Sequence, residues 1–187
     1  MASREPLVWI DCEMTGLNAE TESLLEIACF ITDHDLNMLD SQGFQTVIHH
    51  PRSRMAQMDA WCTQHHGDSG LTERVVASTT TSEQAADALL AYIRRHVPTE
   101  RTALLAGNSV HADRSFLAKA PYDRVLRYLH YRILDVSSLK EAARRWAPDE
   151  ALKSMPLKKN LHEARADILE SIAEARYYRD TFFAKGR

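Results

Sequence analysis

The sequence predicts an α/β fold, a mixed five-stranded sheet with helices on its faces, and two observations carry that expectation. Three strand-like segments come early in the chain, and short strands then alternate with helical patterns. The first strand spans Leu7 to Glu13 and opens on the apolar run Leu7-Val8-Trp9-Ile10. The second spans Leu25 to Thr32 and the third Gly43 to His49, with a turn at Asp33-His34-Asp35-Leu36-Asn37 between them. Helical patterns cover Ser82 to His96, Val110 to Ala118, Val136 to Trp146 and Asn160 to Phe183, while Ala103 to Ala106 and Tyr131 to Leu134 read as short strands.

The last helix has the clearest signature. Asn160 followed three residues later by Glu163 is a capping box, and Leu161, Ala164, Ile168, Ile172 and Ala175 recur at helical spacing as a buried stripe. Upstream, Gly107 and Asn108 break the chain after Ala103 to Ala106, and Ser109 is the expected N-cap of the helix that follows. No repeat or linker divides the 187 residues, 44% of them hydrophobic, so residues 1–187 read as a single domain.

Chemistry concentrates in the acids. Asp11 and Glu13 stand two apart in a strand, so their carboxylates share a face. Two acids on a buried face repel each other and resist desolvation unless a cation neutralises them, although a strand that has already emerged into solvent explains the pair equally well. Asp113 falls in or near a first helical turn, where the helix dipole alone favours an acid. Asp167 lies beside the buried stripe of the last helix. His162 falls in that helix's first turn, where the positive helix end keeps the ring neutral and able to accept a proton. Five residues rotate about 140° around a helix axis, so His162 and Asp167 cannot ligate one ion together and must differ in role. Taken alone, His162 also suits a capping or surface position.

Taken in order, Asp11-x-Glu13, Asp113 and His162-x4-Asp167 resemble the motifs of the DEDDh 3′-to-5′ exonucleases, whose core is ribonuclease-H-like. Within that superfamily the chain is similar to the oligoribonuclease family, through Trp9 to Leu17, Ser69-Gly70-Leu71-Thr72, Gly107-Asn108-Ser109, His130-Tyr131-Arg132, Leu134-Asp135-Val136-Ser137 and Glu170-Ser171. Trp61 to Gly67 and Ser109-Val110-His111 look more like its eukaryotic branch than its bacterial one. The chain departs from the pattern at Ala166, where an aspartate often stands, and at Cys12, commonly Leu in relatives. Cys12 should point away from the acids into the opposite side of the sheet.

The resemblance implies a metal-dependent nuclease. Asp11, Glu13, Asp113 and Asp167 would hold two divalent cations about 4 Å apart, Mg²⁺ or Mn²⁺, and His162 would take the proton of the attacking water. It further implies that Leu17 and Trp61 pack against bases, that His66 lies near the substrate, and that Ser109, Arg132, Ser137 and Ser138 close around a terminal 5′ phosphate. A homodimer is implied in which Tyr131 reaches the neighbouring site. Products would be nucleoside 5′-monophosphates released from 3′ ends.

Composition bears on the partner. With 23 Lys and Arg against 26 Asp and Glu, the chain lacks the basic excess of a protein that tracks a long phosphate backbone. Local recognition must then dominate, and the resemblance implies short single-stranded RNA, a few nucleotides long, as the substrate. The runner-up is an exonuclease of the same superfamily acting on longer RNA or on DNA 3′ ends; a non-catalytic nucleotide-binding module would not need the full set of acids and His162. Three scattered cysteines suggest a reducing compartment, and no apolar stretch reaches membrane-spanning length. The expected location is cytoplasmic, or mitochondrial if a transit segment is absent from the sequence.

Three other features have plainer readings. Cys62-x-x-His65-His66 has zinc-like spacing, but no second ligand pair accompanies it. Asp135 between strand and helix is expected as an N-cap rather than a metal ligand. Lys153 to Lys159 reads as a solvated loop ahead of His162, placed where it could gate access.

Overall fold

The computed structural model describes residues 5–156 and 164–183. Among these, β1 (Leu7–Met14), β2 (Leu24–Thr32) and β3 (Phe44–Val47) form first. Three short helices follow, α1 (Arg52–Met55), α2 (Ala60–Asp68) and α3 (Leu71–Ala77), and then the long α4 (Ser82–His96). Next come β4 (Leu104–Gly107), α5 (His111–Leu117), α6 (Asp123–Tyr128), β5 (His130–Asp135), α7 (Val136–Trp146) and α8 (Asp149–Lys153). The last long helix, α9 (Ala164–Tyr178), runs on into a π-helical turn at Arg179–Phe183.

The five strands form one sheet in the order β3-β2-β1-β4-β5. β1 and β2 pair antiparallel, as do β2 and β3, whereas β1–β4 and β4–β5 are parallel. β1 is therefore central, and its strand alternation sends side chains into two cores. Val8, Ile10 and Cys12 pack with Ala85, Leu89 and Ile93 of α4. Leu7 and Trp9 pack on the other face with Ile168, Ile172 and Tyr178 of the terminal helical region and Val136 of α7. The expected mixed sheet flanked by helices is present, and Cys12 is a core residue pointing away from the acid face.

The boundaries differ from the sequence expectation for identifiable reasons. The third strand begins at Phe44 because Gly43 sits in a left-handed turn, φ +66°. A Cβ there would lie 2.6 Å from the Phe30 ring, so only glycine fits against that side chain. Ser109 is not an N-cap: it too is left-handed, φ 49°, and α5 starts beyond it with Val110 as its cap residue. Asp135 does cap α7, its side chain accepting the Ser137 amide at 3.0 Å. Asn160, Leu161, His162 and Glu163 lie outside the described residues, so the capping box and the expected helix entrance do too. No helix among the described residues is long and apolar enough to cross a membrane.

Candidate active site

Asp11 and Glu13 emerge where β1 leaves the core, both half-buried on the face shared with Trp9. Asp167, in the first described turn of α9, approaches the same face because Ile168 and Ile172 dock that helix onto Trp9 and Ala28. One carboxylate oxygen from each of Asp11, Glu13 and Asp167 lies within 4.8 Å of the others. Asp113 arrives from α5, is only 5% exposed, and uses Oδ1 to accept the amide of Cys12 at 2.9 Å. It is not one of the three mutually close acids, but its charge is felt by Glu13.

Electrostatics marks the cluster as poised for a cation. Burial pushes the Glu13 carboxyl up to about 8, and repulsion from Glu26, Asp167 and Asp113 adds to it, with Arg74 partly offsetting the shift. Burial likewise raises Asp113 to about 7 against the opposing hydrogen bond from Cys12. Glu26, directly across from Glu13 in the β1–β2 register, is 2% exposed and is held by Gln45 Nε2 at 3.1 Å and Arg74 at 3.5 Å. Carboxylates disfavoured this strongly without a counter-ion form an all-oxygen donor set suited to a hard divalent cation.

A cavity of about 430 Å³ opens beside the acids, lined by Glu13, Leu17, Trp61 and His66 among others. Leu17 is 88% exposed and Trp61 62% exposed, so two apolar surfaces face solvent beside the acids. Neither is loose. The Trp61 ring stacks on His65 at 4.8 Å, with 13° between planes. Leu17 rides on a loop held by Arg54, whose Nη2 donates to Thr15 Oγ1 at 2.8 Å and to Glu22 Oε2 at 2.7 Å. His66 is buried and donates from Nε2 to the Met14 carbonyl at 2.8 Å, while burial lowers its pKa.

A second polar cluster forms at the start of α7. Asp135 Oδ1 accepts the Ser109 amide at 2.9 Å, and Ser137 Oγ lies 2.9 Å from that amide and 3.1 Å from Ser109 Oγ. Ser137 and Ser138 line a cavity of about 530 Å³ with His111 and Arg145. Arg132, expected with these serines, is not among that cavity's lining residues; its guanidinium lies 5.2 Å from the Tyr131 ring. Tyr131 is 73% exposed.

Sequence reasoning missed the supports. Asn108 donates to Ser171 Oγ at 2.7 Å and to Glu174 Oε2 at 3.3 Å, and accepts from Ser137 Oγ at 3.3 Å, so it ties the β4 turn to both α7 and α9. Arg54 and Glu26 went unseen because their partners are remote in sequence. Asp135 caps α7 as expected, and the same carboxylate also seats Ser109.

Comparison with known proteins supplies the family. Residues 8–175 match the RNase_T exonuclease family. The chain is 49% identical over 180 residues to an oligoribonuclease of Rhodococcus jostii, covering 96% of this chain and 89% of that protein. It is 47% identical to a probable oligoribonuclease of Schizosaccharomyces pombe, covering 94% and 68%, and 45% identical to the human oligoribonuclease, mitochondrial, covering 99% and 76%. Bacterial and eukaryotic relatives are thus about equally similar. A solved structure of exonuclease I superposes with a TM-score of 0.72 at 13% identity, covering 95% of this chain and 41% of that one, and so shares the fold over about two fifths of its own length. The chain belongs to the exonuclease family, and within it to the oligoribonucleases.

Proposed function

We propose that this chain, as a single exonuclease domain, removes nucleoside 5′-monophosphates from the 3′ ends of short oligoribonucleotides. The observation that carries the reading is the convergence of Asp11, Glu13 and Asp167 within 4.8 Å, with Asp113 anchored to the backbone between the β1 acids. These four carboxylates would hold two divalent cations, Mg²⁺ or Mn²⁺, which when bound supply Lewis acidity and a nucleophilic water at neutral pH.

The protein's own groups do the rest. Leu17 and Trp61 offer apolar faces on which unstacked bases settle. Ser109, Ser137 and Ser138, with Arg132, are the donors for a terminal 5′ phosphate, and Asp135 preorganises the first two. His66 orients the substrate from the cavity wall. His162, outside the described residues, is the general base by the family resemblance. Tyr131, exposed on β5, serves a neighbouring subunit's site in a homodimer. Three buried free thiols accord with work in the reducing cytoplasm, although the human relative is named mitochondrial.

A length series tests the substrate class. A protein that closes on a terminal phosphate loses charge-assisted hydrogen bonds when further 5′ nucleotides displace that closure. With 5′-phosphorylated RNAs of two to about ten nucleotides, kcat/KM should fall as length grows, and dinucleotide binding should show a log-log salt slope of about −1 to −2. A rise with length and a steep salt slope would assign the chain to longer substrates.

A further inference from the structure

His66 poses an unanswered hydrogen-bonding question. Its Nε2 lies 2.8 Å from the Met14 carbonyl, which can only accept, so Nε2 carries the proton and Nδ1 presents a lone pair. His66 is 2% exposed, and Nδ1 is buried with no hydrogen-bond partner among the described residues. One ring nitrogen donating to a backbone carbonyl while the other is left as a bare donor pair is the arrangement of a metal-ligating histidine.

Two further donors converge there. Ligand atoms of Glu13, His65 and His66 all lie within 4.8 Å of one another. His65 is oriented by its stack on Trp61, and Glu13 reaches in from β1. That third ligand is the one local spacing could not show; Cys62 takes no part in the group.

We infer that Glu13, His65 and His66 form a second metal site, selective for Zn²⁺ and similar borderline cations, that excludes productive metal binding because both sites need Glu13. Two imidazoles and a carboxylate suit Zn²⁺, whereas the all-oxygen set of Asp11, Glu13 and Asp167 suits Mg²⁺ or Mn²⁺. Glu13 is the one residue common to both groups. A cation held by the histidines draws this carboxylate away from Asp11 and Asp167, and it occupies the cavity beneath Leu17 and Trp61. Zn²⁺ is then a reversible inhibitor in the presence of excess Mg²⁺. The inhibitory consequence rests on the proposed role of Glu13 in catalysis, but the binding site itself does not.

The experiment separates the two. Zn²⁺ binding is measured by titration calorimetry on the full chain carrying Asp167→Asn, which breaks the oxygen set, and on the same chain with His65→Phe added. Phe keeps an aromatic ring against Trp61 and removes both nitrogens. The single variant should bind one Zn²⁺ at least tenfold more tightly than the double variant. In Mg²⁺, the Zn²⁺ inhibition constant of His65→Phe, normalised to its own uninhibited rate, should rise at least tenfold over that of the unmodified chain. Cobalt(II) added to the unmodified chain, which needs no substitution, should give the intense visible band of a four- or five-coordinate site. Equal Zn²⁺ affinity with and without His65, an unchanged inhibition constant, or only weak octahedral cobalt absorption would overturn the proposal. If Asp167→Asn retained Mg²⁺-dependent turnover yet still bound Zn²⁺ through His65, the zinc site would stand and the catalytic reading would fail.

Discussion

Asp113 Oδ1 accepts the amide of Cys12, the residue between the two β1 acids, at 2.9 Å. The parallel register of β1 with β4 ends at Trp9 and Ala106, and beyond it Asp113 supplies the acceptor for the Cys12 amide in place of a backbone carbonyl. One carboxylate thereby finishes a strand and brings a negative charge to the acid cluster.

The two roles separate by substitution. Asp113→Asn keeps an oxygen for the Cys12 amide but removes the charge, so stability in chelator should hold or rise slightly while Mg²⁺-dependent dinucleotide turnover is nearly abolished. Asp113→Ala leaves a buried amide unsatisfied and should cost about 1–3 kcal/mol in denaturant unfolding as well. Near-normal turnover by the Asn variant would remove Asp113 from the metal site.

Stability of the metal-free protein should depend on pH with a definite sign. The Glu13 pKa is about 8 in the fold against an ordinary 4.5, so between these values the folded protein holds a proton that the unfolded chain has released. Stability therefore falls as pH rises through that window and levels off above it. Added Mg²⁺ or Mn²⁺ binds the deprotonated carboxylates, so its stabilising effect should grow from pH 5 to pH 8. Melting temperatures with and without chelator check this. A metal effect that shrank with pH would contradict the assignment of Glu13.

Trp61 exposes most of its side chain, so Trp61→Ala should change folding stability by no more than about 0.5 kcal/mol. If a base stacks on it, the loss is about 1–3 kcal/mol of binding, read as a KM for dinucleotides raised about 5- to 150-fold. Unchanged steady-state kinetics would leave Trp61 without a role in binding.

Legibility in the sequence tracked the range of the interactions involved. β1 is readable from its uninterrupted apolar run, α4 and α7 from a local periodicity, and Asp135 because a cap and its helix are adjacent. The helices α1, α2 and α3 escaped notice since Ala60–Asp68, with Gln64, His65, His66 and Gly67 in one helix, carries no apolar stripe. Ser109 was misassigned because its amide answers Asp135, 26 residues away, and that bond holds the turn open before α5 can begin. The acids could be aligned from motif spacing alone. Their supports, Asn108 against Ser171 and Glu26 against Arg74, exist only after the sheet has closed.

Tyr131 tests the assembly. It is 73% exposed, stacked on His130 at 4.5 Å, and buries little of its ring in its own subunit. Tyr131→Ala should leave the melting temperature nearly unchanged while lowering dinucleotide turnover. Light scattering on the active unmodified protein should report a dimer at assay concentration. A fully active monomer would remove Tyr131 from any neighbouring site.

The docking of α9 on β1 also sets a timetable. Asp167 is added long after Asp11 and Glu13, so a growing chain carries an incomplete acid cluster until α9 has been made. Until α9 has emerged from the exit tunnel and covered Trp9 and Ala28, the acids of β1 lack their third partner. A chain halted before α9 should therefore lack the acid cluster on which the proposed nuclease activity rests.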